Sequence, residues 1–277
     1  KGMARALVSE IVTIIDIYNN ESKYNKKIVT DLYNKNFNFS VRFVKNQKLP
    51  DIKVERWYSP MDRALRRELK LLQSVNYVIT VLPYEFNIIK KEFGLIAEYV
   101  DYSYGANKFN SFSNEPLGNS ILIGNSATSA NNHLDVFDII KDTNKKLIVP
   151  LSYGAYDYGN YKELVISEGM RIFKSSFIPV EGFMPLQDYR ELTSSCNSVI
   201  MYHIRQQALG NIYMALYLGM RVFLNKKSIT YKYMKDVGMI IFDLESAATL
   251  VGVELEQQNK VINRELVTKL QGEKTFI

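Results

Sequence analysis

Two histidines and a single cysteine among 277 residues leave little for a metal to hold, and no Cys/His cluster exists. A structural zinc site is therefore not expected. Cys196, alone, cannot form an internal disulfide, which fits a reducing cytoplasm. It stands in a helix-like stretch just before a strand and reads as a small buried residue. No G-x-x-x-x-G-K-[ST] loop and no G-x-G-x-x-G after a strand is present, which argues against a nucleotide hydrolase or a dehydrogenase. An Asp-x-Asp pair able to seat a divalent cation against a diphosphate is also missing. Long apolar runs are absent: none reaches the roughly 18–20 residues that span a bilayer. The opening stretch from Ala6 is interrupted by Glu10 and Asp16 and makes a poor signal peptide. The expectation is a soluble or peripheral protein.

What is present is an ordinary globular composition, 47% hydrophobic and 23% charged. Nineteen Tyr and fourteen Phe make it rich in aromatics, which suits core packing as well as contact with carbohydrate or a membrane edge. A formal net charge of +6 favours an acidic partner: a sugar nucleotide, an anionic lipid or a nucleic acid. Nucleic acid is the weakest of these, because the charge is spread out and no recognisable module appears.

The second half of the chain has a regular rhythm. Apolar strands are expected at 121–124, 146–150, 170–173, 198–202, 221–224 and 239–242. Helices alternate with them at 132–141, 161–168, 187–195, 211–218 and 230–236, with Gly169 and Gly219 as stops. Six short strands alternating with helices imply a parallel sheet covered on both faces, with right-handed crossovers. This is a Rossmann-like domain. The first half is less regular: strands are expected at 38–45, 75–82 and 97–101, and a helix at 60–74. One face of that helix carries Arg63, Arg66, Arg67 and Lys70, either a solvated face or a contact for lipid headgroups. Residues 104–119 read as an interdomain linker. The expected domains are 1–118 and 119–277, and about 118 residues are few for a complete Rossmann-like partner, so the first is expected to be incomplete.

Candidate site residues gather at strand ends. Gly124-Asn125-Ser126 follows the first strand of the second domain, suited to close approach of a phosphate or sugar, or to a plain capped turn. Asn132-His133 comes next; His133 either bonds a ligand or caps the helix. Pro150 cannot donate to a ladder, so the second strand should stop there. Ser152, Tyr153 and Gly154 then face the same crevice, with Tyr153 able to stack on a base or sugar. Arg205, Gln206 and Gln207 lie between a strand and the helix start at Gly210 and Asn211. A guanidinium fork, two amides and outward helical N–H groups suit a phosphate at the carboxyl ends of parallel strands.

Four motifs in register carry a resemblance: Ile121-Leu-Ile-Gly-Asn-Ser126 with Asn132-His133, Val149-Pro150, Arg205-Gln-Gln207 with Gly210, and Val222-Phe-Leu-Asn225. The chain resembles the bacterial TDP-N-acetylfucosamine:lipid II transferases of enterobacterial common antigen synthesis, glycosyltransferase family 56. The likeness covers roughly residues 57–245 and is strongest over 121–242. The best-known member of that family has Gly-Ile-Gly-Thr where this chain has Ala208-Leu-Gly-Asn211.

The resemblance implies an α/β GT-B glycosyltransferase, two Rossmann-like domains facing a cleft, that works without a metal or other cofactor. Asn125, Ser126, Ser152, Tyr153, Arg205, Gln206 and Gln207 would line the donor site, and the helix start at Gly210 and Asn211 would face the diphosphate. Arg205 would stabilise the leaving group, and His133 is a candidate for the acceptor's base. A polyprenyl-diphosphate-linked acceptor implies peripheral attachment at the cytoplasmic face of the plasma membrane, near Arg63, Arg66, Arg67 and Lys70. The rival readings are a nucleotide-sugar epimerase of similar fold, which would need no lipid acceptor, and a binding module that releases no sugar.

Overall fold

The computed structural model describes residues 75–100, 118–154, 161–203 and 206–271. The chain divides into two compact units, residues 1–104 with 204–206, and residues 105–203 with 207–277. The sequence readings for 38–45, 60–74 and most of the linker fall outside the described residues.

The first unit shows one strand–helix–strand repeat. β1 (Tyr77–Val78) pairs in parallel with β2 (Glu98–Tyr99), and α1 (Pro83–Phe93) connects them. Pro83 opens the helix, where its missing N–H costs nothing. Glu85 reaches back to accept the Leu82 N–H at 2.9 Å. Gly94 closes it in the left-handed conformation. Both strands are much shorter than the apolar runs that announce them, and α1 had no counterpart among the sequence expectations.

The second unit is built on six parallel strands: β3 (Ser120–Ile123), β4 (Leu147–Pro150), β5 (Phe177–Val180), β6 (Cys196–Met201), β7 (Arg221–Leu224) and β8 (Phe242–Asp243). Their spatial order is β5-β4-β3-β6-β7-β8. Winding thus runs outward from β3 in one direction and resumes beside it with β6 in the other, the doubly wound order with its switch point between β3 and β6. Every residue of β3, β4, β6 and β7 is buried. Both faces of the sheet are therefore covered, as continuous apolar runs in parallel strands require.

The intervening helices are α2 (His133–Ile140), α3 (Tyr161–Phe173), α4 (Leu186–Ser194), α5 (Leu209–Tyr217), α6 (Ile229–Asp236), α7 (Ala247–Leu250) and α8 (Gln257–Gln271). α2 packs on α3, and α8 on α5. Phe137 of α2 sets its ring edge against Phe173 and Phe177, with centroids 5.4 and 5.7 Å apart. Among the described residues no helix is long and apolar enough to cross a membrane.

One strand is corrected. Met170–Phe173, expected extended, is the last turn of α3, and the edge strand is β5. Gly169 does not stop the helix. A Cβ there would come within 2.3 Å of the Phe177 ring, so this glycine is a packing notch inside the helix. Two further differences are smaller. Cys196 begins β6 rather than ending a helix, and burial raises its thiol to about 12. β8 holds only two residues, later than expected.

Candidate functional site

The loop leaving β3 turns at Gly124, whose φ of +68° places it in the region that favours glycine. Its N–H stays on the sheet, donating to Ile200 O of β6 at 2.9 Å. The chain then runs through Asn125, Ser126 and Thr128 into a 3-10 turn (Ser129–Asn131) before α2. This loop lies at the carboxyl end of β3, beside the switch point.

Asn131, almost wholly buried, organises the loop. Its Nδ2 donates to Ser126 O at 2.9 Å and Thr128 Oγ1 at 2.9 Å, while its Oδ1 accepts the Asn125 N–H at 3.0 Å. Asn125 in turn bridges two other segments. Its Nδ2 donates to the Tyr153 hydroxyl at 2.8 Å, and its Oδ1 accepts from Gln207 Nε2 at 2.8 Å. The Ala127 N–H also reaches Tyr153 O at 2.7 Å, which ties the loops after β3 and β4 together. Ser126 Oγ and Thr128 Oγ1 lie 3.1 Å apart.

Asn125, Ser126, Tyr153 and Gln207 are thus brought together from three strand ends. Ser152 is half-buried next to them in sequence, and Tyr153 is 55% exposed while its hydroxyl accepts from Asn125. Gly210 and Asn211 occupy the first turn of α5, and Asn211 Nδ2 donates to Tyr189 of α4 at 3.2 Å. Among the described residues no side chain caps α5, which leaves its first N–H groups without a side-chain acceptor. Ala208, at the cap, adopts φ +56°. An alanine thus holds a left-handed bend that favours glycine. Gln206 groups with the first unit. Arg205, Arg63, Arg66, Arg67 and Lys70 lie outside the described residues.

His133, the first residue of α2, is completely buried. Its Nδ1 lies 3.0 Å from the Tyr161 hydroxyl, which also accepts the His133 N–H at 3.3 Å. Among the described residues Nε2 has no hydrogen-bond partner. Burial lowers the imidazole to about 3, so it is neutral at pH 7. The same burial pushes the Tyr161 hydroxyl up. A β-carbon on Gly124 would stand 2.7 Å from Nε2, so this ring sits directly behind the turn.

Three residues of the arrangement carried no signal in the sequence: Asn131, Thr128 and Tyr161. His203, also buried, joins them. Each is a single polar residue that no periodicity or motif marks, and each also bonds across the fold: Asn131 to His203, Thr128 to Gln207 and Tyr161 to His133. Among the described residues no group of His, Cys, Asp or Glu could hold a metal ion.

A doubly wound sheet with polar loops converging at its switch point is the α/β fold of GT-B glycosyltransferases, and solved structures of that class share it. The glycosyltransferase from Rickettsia africae ESF-5 is similar over 91% of this chain and 80% of its own, at 12% identity and a TM-score of 0.55. Sucrose-phosphate synthase from Thermosynechococcus elongatus is similar over 84% of this chain and 66% of its own, at 10% identity and a TM-score of 0.51. The chain spans 58% of the length of AviGT4, a glycosyltransferase involved in Avilamycin A biosynthesis, at 11% identity and a TM-score of 0.48. Residues 105–270 match the family described as 4-alpha-L-fucosyltransferase, glycosyl transferase group 56, and the chain belongs to that family. No curated protein matches it.

Proposed function

We propose that the chain moves a deoxyamino sugar resembling N-acetylfucosamine from a TDP-linked donor to a hydroxyl of a polyprenyl-diphosphate-linked saccharide. The observation that carries this reading is the convergence of Asn125, Tyr153 and Gln207 beside the uncapped start of α5. Amide and phenol groups suit a sugar or base edge, and open helical N–H groups suit a diphosphate. Membership of a fucosyltransferase family supports a deoxy sugar as the transferred group.

In the reaction, the bond from the anomeric carbon to the diphosphate oxygen breaks as the acceptor oxygen attacks. Negative charge builds on the leaving diphosphate, where preorganised donors lower the barrier most. The α5 N–H groups and Arg205 take that role. The acceptor's proton passes to a base. His133 is neutral at pH 7, but burial holds its imidazole near 3, so while enclosed it is too weak a base to take that proton. Because the ring is fully buried, that role requires the turn at Gly124 to open. Arg63, Arg66, Arg67 and Lys70 would meet the anionic lipid side of the acceptor at the cytoplasmic face of the membrane.

Thermal unfolding in the presence of TDP, UDP, GDP or CMP, with and without magnesium, tests the donor half. TDP should stabilise the protein without the metal, by about 2.7 kcal/mol at a hundred times its Kd. If none of the four shifts the transition, the reading is wrong.

A further inference from the structure

His203 follows β6 at the switch point and is almost completely buried, yet the transfer chemistry outlined for its neighbours does not use it. Its Nε2 lies 2.7 Å from Asn131 Oδ1 and 3.2 Å from Asn125 Oδ1. The surrounding bonds fix which atoms these are. Asn131 Oδ1 accepts the backbone N–H of Asn125, and Asn131 Nδ2 donates to the carbonyl oxygens of Ser126 and Thr128. That amide cannot be turned over without opposing donor to donor and acceptor to acceptor. The oxygen facing His203 is therefore an acceptor, and His203 must present Nε2–H to it.

One imidazole N–H thus lies between the two asparagines that shape the loop after β3. Through Asn131 it acts on the turn from Ser126 to Thr128. Through Asn125 it acts on the amide that orients the exposed Tyr153 phenol and receives Gln207. Together with Gln207 Nε2 it holds Asn125 Oδ1, which leaves Asn125 Nδ2 presented to the Tyr153 hydroxyl.

We infer that His203 is a positioning residue: its Nε2–H, shared between Asn131 Oδ1 and Asn125 Oδ1, sets the ligand-ready form of the Asn125–Tyr153–Gln207 group. The inference rests on the proposed nucleotide-sugar site. It assigns His203 to nucleoside-diphosphate binding, with no part in proton transfer.

Replacement by leucine removes one of the two donors at each buried oxygen, leaving Asn131 Oδ1 only the Asn125 N–H and Asn125 Oδ1 only Gln207 Nε2, whereas glutamine can extend an amide Nε2 to about the same place. His203→Leu should weaken TDP binding in calorimetry roughly tenfold or more. It should also speed amide exchange across residues 124–131 in the protein without nucleotide. His203→Gln should bind TDP within about threefold of the unaltered protein and restore the protection. If His203→Leu does not fold, His203→Asn takes its place, since its shorter amide falls short of both oxygens and should lose affinity where glutamine does not. Unchanged TDP affinity and unchanged exchange in the leucine or asparagine variant would overturn the inference. Faster exchange in a protein that binds no nucleotide even when unaltered would uphold the positioning role and remove the proposed function instead.

Discussion

Replacing Gly124 with alanine should damage both stability and the site, by an amount the geometry sets. The residue sits at φ +68°, where a side chain costs about 1–2 kcal/mol. The new β-carbon would also lie 2.7 Å from His133 Nε2 and 2.8 Å from Asn131 Oδ1. Neither neighbour yields cheaply: His133 is enclosed and bonded to Tyr161, and Asn131 holds the loop through several hydrogen bonds. Overpacking of that kind adds about 1–3 kcal/mol. Together these give a loss of about 2–5 kcal/mol, a large share of the roughly 5–15 kcal/mol typical of a native protein. In a unit of this size the melting temperature should fall by roughly 5–15 °C. Gly238→Ala is the matched control. It has φ +88° but only Leu266 Cδ1 near, at 3.8 Å, so about 1–2 kcal/mol should be lost. Denaturant unfolding of both variants, with TDP titrations alongside, separates the two contributions. Equal losses of stability together with equal TDP affinity would refute the claim that Gly124 is fixed by the atoms behind it.

Gly169→Ala should lower the urea midpoint. The alanine gains about 1 kcal/mol of helix propensity, but its β-carbon meets the Phe177 ring at 2.3 Å, and overpacking of about 1–3 kcal/mol outweighs the gain. Acidification should weaken the protein through His133. The folded imidazole is held near 3, while the unfolded one takes a proton near 6.5, so this contribution is complete above 6.5 and is lost as pH falls towards 3. Between pH 7 and pH 5 the loss should be about 2 kcal/mol, and His133→Gln should flatten that part of the stability profile.

The central strands were legible because burial on both faces writes them as uninterrupted apolar runs, as in Ile121-Leu-Ile123 and Val222-Phe-Leu224. The rim was legible for the same reason, since residues just past such runs must lie at the carboxyl edge of the sheet. Met170-Arg-Ile-Phe173 was misread because its apolar residues suit a helix end as well as a strand, and the glycine before it suggested a stop. What distinguishes the cases is the Phe177 ring against Gly169, a contact no local pattern encodes. β1 and β2 were announced by longer runs than they use, and α8 has too polar a face to stand out. The hydrogen bonds of Asn131, Thr128 and His203 could not be read at all. Asn131 and His203 are 72 residues apart, and only the folded sheet makes them neighbours.

Ala208 has a consequence for the thermodynamics of ligand capture. A glycine at the start of α5 would visit both signs of φ in the unliganded loop, and binding would have to select one. Alanine has fewer alternatives, and it is already in the left-handed form that aims the first turn of α5. The conformational strain is met during folding, so less disorder would remain to be removed on binding the proposed diphosphate. Calorimetry of Ala208→Gly should register this as a more unfavourable binding entropy with little change in enthalpy.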